Sequence, residues 1–351
     1  MNSTDIDRSF GDLTPEFMLD ALDAAGLHGD GRLLQLNSYE NRVLQVHLEE
    51  GPVHQGVAVA KFYRPGRWSD AQILEEHVFA RQLAEAEVPV AAPWVLGEGV
   101  HASTLQHYRD QRFAVTPRQG GRGPELEDPE VLTWIGRLLG RLHLVGRQQP
   151  FEHRLRWDSA APGIAARDWL VEHESVPAEI LPAWREVVQR CLDMIQQAFD
   201  AIPDLQTMRL HGDCHPGNIL WTPDRGPHFV DLDDAVTGPA VQDLWMLISG
   251  DEPSMRQQLA CVLDGYETVA EFDRRELALI EPLRTLRMIH HSAWLARRWG
   301  DPAFPLAFPW FGTPNYWNDK VAKLREQLEA MRTEPPEPNA PPEDDYVFWD
   351  A

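Results

Sequence analysis

The chain has 351 residues, with 55 acidic against 32 basic side chains and a formal charge of −23. That length exceeds what one hydrophobic core usually organises, so two lobes or domains are expected. The charge argues against nucleic acid or an anionic membrane as partner; no apolar run approaches a membrane span, and the polar, acidic start lacks the parts of a secretory signal.

In chain order, residues 35–48 predict two strands joined by a polar turn, and 57–63 a third strand carrying Lys61. Residues 69–83 open with capping residues and set Ile73, Leu74, Val78, Phe79 and Leu83 at helical intervals. A further strand is expected over 111–117, and Arg118-Gln-Gly-Gly-Arg-Gly-Pro124 breaks it. Beyond that break, 131–144, 184–199, 255–269 and 276–299 repeat apolar residues every three or four positions, the pattern of helices. The tryptophans from Trp294 to Trp317 are expected in the core or on the lobe surface. Residues 334–351 form an acidic, proline-rich tail that is expected to be disordered. Cys191, Cys214 and Cys261 are few and widely spaced, which suits a reducing cytoplasm better than a disulfide scaffold.

The densest chemistry lies in Leu210-His-Gly-Asp-Cys-His-Pro-Gly-Asn-Ile-Leu220 and Phe229-Val-Asp-Leu-Asp-Asp234. Asp213 stands five residues before Asn218, the separation between the catalytic Asp and the metal-binding Asn in H-R-D-x-x-x-x-N. Phosphoryl transfer needs positioning and charge neutralisation, so it calls for a carboxylate base and hard oxygen ligands for Mg²⁺. Asp213 fits the first need, and Asn218 with Asp231 fits the second. Residues 229–232 read as a short buried strand that brings Asp231 back beside the loop. A zinc cluster of His211, Asp213, Cys214 and His215 is the competing chemistry, disfavoured because the four are too closely spaced to converge.

His211-Gly-Asp-Cys-His-Pro-Gly-Asn218 resembles the H-G-D-x-H-x-x-N motif of the protein-kinase-like phosphotransferases, which include aminoglycoside, choline and homoserine kinases. Further segments resemble the bacterial stress response kinase A family: Leu36-Asn-Ser-Tyr-Glu-Asn-Arg-Val43, Lys61-Phe-Tyr-Arg-Pro65, Gln72-Ile-Leu-Glu-Glu-His77, Val88-Pro-Val-Ala-Ala-Pro93, Gly238-Pro-Ala-Val-Gln-Asp-Leu-Trp245 and Asp301-Pro-Ala-Phe-Pro305. The resemblance implies a bacterial stress response enzyme that phosphorylates serine and threonine side chains of proteins with ATP and Mg²⁺. It also implies an α+β, two-lobed protein-kinase-like fold, with a small strand-rich N-lobe and a larger, mainly helical C-lobe.

On that frame, residues 1–117 form the nucleotide-binding lobe, 118–124 the hinge, 125–333 the helical lobe with the catalytic loop, and 334–351 the tail. Lys61 lies among apolar residues, where its charge needs a match that the α- and β-phosphates of ATP supply. A glutamate would hold its ammonium; Glu75 and Glu76 both qualify, and Glu75 is preferred because Val78 and Phe79 follow it at inward-packing intervals. No G-x-G-x-x-G is present over the phosphates; the resemblance implies Ser38 in that place. Backbone groups near residues 116–119 would meet adenine. Asp243 is expected to anchor the catalytic loop by accepting backbone hydrogen bonds. The expected protein is a soluble, cytoplasmic, monomeric serine/threonine protein kinase. The alternatives are a small-molecule kinase with the same catalytic residues and a nucleotide-binding regulator without transfer activity.

Overall fold

A computed structural model describes residues 10, 13–49 and 56–333; the tail at 334–351 lies outside the described residues. Helix α1 (Pro15–Ala24) begins at Thr14, whose hydroxyl accepts from the Phe17 N–H, with proline at the first turn. It packs on strand β1 (Gly29–Gln35), the edge of a five-stranded antiparallel sheet. Strands β2 (Arg42–Leu48) and β3 (Gly56–Phe62) follow, then helix α2 (Asp70–Glu85), β4 (Gln106–Tyr108) and β5 (Gln111–Pro117), in spatial order β1-β2-β3-β5-β4. The first strand therefore ends at Gln35, where the sequence pattern had it begin. Leu36 still donates its N–H to the Val43 carbonyl oxygen at 2.8 Å, and residues 37–41 form an irregular connection, since Asn37, Ser38 and Asn41 favour local hydrogen bonding over a ladder.

Strand alternation decides where Lys61 points. Ala58, Ala60 and Phe62 of β3, with Val46, Phe113 and Val115, bury one face of the sheet beneath Ala21 and Leu22 of α1. Lys61, between Ala60 and Phe62, consequently projects from the opposite face, toward α2 and the larger lobe.

The larger lobe contains α3 (Pro129–Gly146), α4 (Ala161–Glu172) and α5 (Leu181–Asp200), followed by β6 (Met208–Leu210), β7 (Ile219–Thr222), β8 (Gly226–Phe229) and β9 (Val236–Gly238). Strand β6 pairs with β9, and β7 with β8, each antiparallel. The chain continues through α6 (Glu252–Glu267), α7 (Ile280–Arg297), α8 (Ala303–Ala307) and α9 (Pro314–Ala330). Helices α3 and α6 touch backbone to backbone: a Cβ on Gly136 would sit 1.9 Å from the Val262 carbonyl oxygen, and one on Gly265 1.9 Å from that of Thr133. The region expected as one helix over 276–299 splits into a 3₁₀ turn, Arg274–Leu279, and α7. Of the tryptophans, Trp317 is fully buried edge-on to Trp184, whereas Trp310 is exposed. Among the described residues, no helix is long and apolar enough to cross a membrane. The expected α+β architecture, a small antiparallel-sheet lobe followed by a larger helical lobe, is the one observed.

Candidate active site

The loop after β6 is held from beneath. Asp243, fully buried, accepts from the backbone N–H of His211 and of Gly212, both at 2.8 Å, and lies 3.1 Å from His143 Nε2. This is the anchoring role expected of it. Gly212 has φ +83°, and a Cβ there would fall 2.1 Å from the Asp234 carbonyl oxygen, so only glycine lets the two loops meet. His211 Nε2 donates to the Val230 carbonyl oxygen at 3.0 Å, and the Val230 N–H donates to the Asn218 carbonyl at 3.0 Å. Cys214 is fully buried, and burial pushes its thiol well above the usual range, which makes it inert. Among the described residues no three His, Cys, Asp or Glu side chains gather so as to hold a metal ion.

Asp213 and Asn218 are in direct contact: the Asn218 amide nitrogen donates to the Asp213 carbonyl oxygen at 2.9 Å and approaches its Oδ2 at 3.3 Å. Arg287 of α7 pairs with Asp213 Oδ1 at 2.6 Å, and His215 Nε2 lies 3.5 Å from Oδ2. Burial alone would raise the Asp213 carboxyl, but the His215 hydrogen bond and the Arg287 charge together hold it well below the usual carboxylate range. It is an ionised acceptor at neutral pH.

Asp231 does not lie on a strand, as the pattern of 229–232 had suggested. Strand β8 ends at Phe229, and Asp231 turns the chain in the left-handed region, φ +59° and ψ 66°, into a 3₁₀ turn at Leu232–Asp234. A left-handed residue cannot continue a ladder, and such strain in a non-glycine residue is typical of functional sites. The turn delivers Asp231 Oδ1 to within 2.8 Å of Lys61 Nζ, while Asp233 Oδ1 lies 3.9 Å away. Burial would lower the Lys61 ammonium, yet the charges of Asp231, Asp233 and Glu76 hold it well above its usual value. The donors suit magnesium. The Asn218 amide nitrogen is occupied, which leaves its oxygen, and one Asp231 oxygen is engaged by Lys61, which leaves the other.

The glutamate preference is corrected by α2. Its buried residues are Ile73, Glu76, His77, Phe79, Ala80 and Leu83, whereas Val78 is about half exposed and Glu75 only partly buried. Glu76 is therefore the residue turned toward Lys61, with Arg154 3.9 Å from its Oε2. Burial pushes its carboxyl up to about 7. Glu75 instead accepts from the backbone N–H groups of Glu152, His153 and Arg154 at 2.6, 2.9 and 3.0 Å, fastening α2 to the large lobe.

Ser38 lies at the lip of the cleft, its hydroxyl accepting from the Asn41 N–H at 3.2 Å. The next residues carry contacts that sequence reasoning missed. Glu40 accepts from Trp294 Nε1 at 2.8 Å and from Arg298 at 2.5 and 2.9 Å, and Tyr39 packs on Phe308 with ring centroids 5.0 Å apart. Arg64 joins Glu40 at 3.3 Å to Asp301 at 2.8 Å, and buried Arg67 binds Asp233 and Asp234. The turn above the cleft is thus pinned to α7 and α8. Ser38, Asp213, Asn218 and Asp231 line one cavity of about 1790 Å³. Lys61 reaches it through Asp231, and Glu75 stands aside.

A family model for phosphotransferase enzymes matches residues 32–280. Among curated proteins, the chain is 44% identical to the stress response kinase A of Escherichia coli K12 over 333 residues, covering 93% of this chain and 96% of that protein. It is likewise 44% identical to the serine/threonine protein kinase RdoA of Salmonella typhimurium over 335 residues, with the same coverage. Among solved structures, an amicoumacin kinase in complex with AMP-PNP, Ca²⁺ and Ami matches with TM-score 0.66 at 18% identity, covering 90% of this chain and 93% of that one. A spectinomycin phosphotransferase matches with TM-score 0.61 at 14% identity, covering 90% and 98%. These structural likenesses establish the protein-kinase-like fold.

Proposed function

The chain belongs to the phosphotransferase enzyme family and, within it, to the stress response kinase A family, and on that premise we propose that it is an ATP- and Mg²⁺-dependent serine/threonine protein kinase. One observation carries the reading: Asp213, Asn218, Asp231 and Lys61, drawn from both lobes, converge at one cleft with the atoms that phosphoryl transfer needs. Asn218 and Asp231 would hold Mg²⁺, which supplies charge neutralisation on the phosphate oxygens. Lys61, with Glu76 behind it, positions the α- and β-phosphates, and Ser38 covers them. Asp213 accepts the proton of the serine or threonine hydroxyl as its oxygen bonds to the γ-phosphorus and the bond to the bridging oxygen breaks, its electron pair leaving on ADP.

The protein acceptor is supported by the name of the Salmonella relative, and action in the reducing cytoplasm by three free cysteines. The test is transfer of labelled γ-phosphate from Mg·ATP to the protein itself and to a generic protein substrate, beside Asp213→Ala. Label on serine or threonine that vanishes in the variant is expected. Turnover of a small metabolite with no protein label would replace this reading with a small-molecule kinase, and ATP binding without any transfer would leave a regulator.

A further inference from the structure

A second cavity, of about 410 Å³, adjoins the catalytic loop and shares His215 and Arg287 with the main cleft. Trp245, Met246, Ile248 and Met255 form its apolar lining, and Arg284 adds a second guanidinium. Among the described residues that line it there is no carboxylate, which is notable in a chain of formal charge −23. Arg284 and Arg287 are three residues apart on α7 and so project from the same side of the helix. Arg284 lies over the Trp245 ring, 5.6 Å from its centroid, and pairs with Glu281 at 3.0 Å while remaining partly exposed. Arg287 reaches the other way, to Asp213 Oδ1 at 2.6 Å. A group bound between the two guanidiniums is therefore about one side chain away from a hydroxyl held at Asp213.

We propose that this cavity is the subsite for the residue flanking the acceptor hydroxyl, and that Arg284 and Arg287 select an aspartate or glutamate there. The proposal rests on the reading of Asp213 as base and of a protein as acceptor. Charge complementarity commits the occupant. Arg284 and Arg287 each have one carboxylate partner, Glu281 and Asp213, neither of which lines the cavity, and their remaining N–H groups offer charge-assisted hydrogen bonds to an acidic peptide. The methionines accommodate different apolar neighbours in the peptide. A substrate carboxylate that takes up Arg287 also draws the guanidinium away from Asp213, freeing Oδ1 as the hydroxyl arrives.

The test uses two serine peptides identical except for aspartates or lysines flanking the serine, each also made with alanine at the acceptor position. Calorimetry with the alanine peptides and the full chain reads the subsite without transfer. The acidic peptide is expected to bind on the order of tenfold tighter than the basic one. Arg284→Gln should shrink that ratio and Arg284→Glu invert it, an inversion that loss of folding cannot mimic. Equal affinities, or tighter binding of the basic peptide to the unaltered chain, overturn the proposal. Labelling of the serine peptides with Mg·ATP tests the kinase reading separately: acid-selective binding without label keeps the subsite and removes the protein-kinase assignment.

Discussion

Lys61 and Asp231, 170 residues apart, meet across the cleft with Nζ 2.8 Å from Oδ1. One side chain comes from the small sheet and the other from a left-handed turn in the large lobe, so the pair couples the two lobes at the cleft. On the proposed reading nucleotide binding repartitions these charges: phosphates would take Lys61, and the metal Asp231. Asp231→Ala is therefore expected to weaken Mg²⁺-dependent ATP binding by about tenfold, the scale of losing one charge-assisted contact at a half-exposed carboxylate. Titration with ATP at fixed and at zero Mg²⁺ checks this; an affinity that still rises with Mg²⁺ as in the unaltered protein contradicts the metal role.

Asp213→Ala removes the proposed proton acceptor and leaves Lys61, Asn218 and Asp231 in place. Turnover should fall by about 10²–10⁴-fold while the ATP dissociation constant changes only a few-fold. Single-turnover transfer beside ATP titration separates the two effects. Normal transfer by the variant would show that another group takes the proton.

Glu75 and Glu76 are adjacent in sequence and opposite in consequence. Glu75→Gln replaces the charge that receives three backbone N–H groups and should lower unfolding free energy by about 1–3 kcal/mol, with ATP affinity nearly unchanged. Glu76→Ala should instead reduce turnover through Lys61. Denaturant melts and steady-state kinetics on both variants check the assignment, and the reverse pattern would restore Glu75 as the lysine partner.

Glu40 gathers Trp294 of α7 and Arg298 at its C-terminal end, with Arg64 3.3 Å and Arg67 3.6 Å away. Releasing it frees the turn that carries Ser38. Glu40→Ala is expected to raise the KM for ATP about tenfold, the loss of one well-placed charge-assisted contact, and to speed protease cleavage within residues 36–41. An unaltered KM would mean that the turn covers the phosphates without this tether.

His77 is buried between the Tyr63 hydroxyl at 2.7 Å and Thr104 Oγ1 at 2.8 Å, and burial lowers its imidazole to about 3. The unfolded chain binds a proton near pH 6.5 that the folded chain refuses, so this residue makes stability fall as pH drops from about 6.5 toward 3. At pH 4 the loss from His77 is roughly 3 kcal/mol. His77→Gln should flatten that part of the stability profile in denaturant titrations at pH 4 to 7, and a parallel profile would count against it.

What the sequence made legible follows from the range of each interaction. Asp213 and Asn218 sit in one short loop, where spacing in the chain nearly fixes spacing in the fold. Lys61 was readable because a lysine among the apolar residues of 57–63 needs a matching charge. The choice between Glu75 and Glu76 depends on one residue's rotation of a helix, and Val78, apolar yet exposed, pointed the wrong way. Glu40 with Arg298, and Asp213 with Arg287, pair across long separations that leave no periodic trace in sequence. The turn at Asp231 was hidden for another reason: Phe229-Val-Asp-Leu has strand composition, and tertiary contacts impose its left-handed backbone.

The three backbone N–H groups that grip Glu75 bear on control as much as on assembly. A helix fastened through its N-terminal half to the large lobe cannot swing outward without giving up all three bonds together. Glu76, the next residue on the same helix, is thereby held facing Lys61.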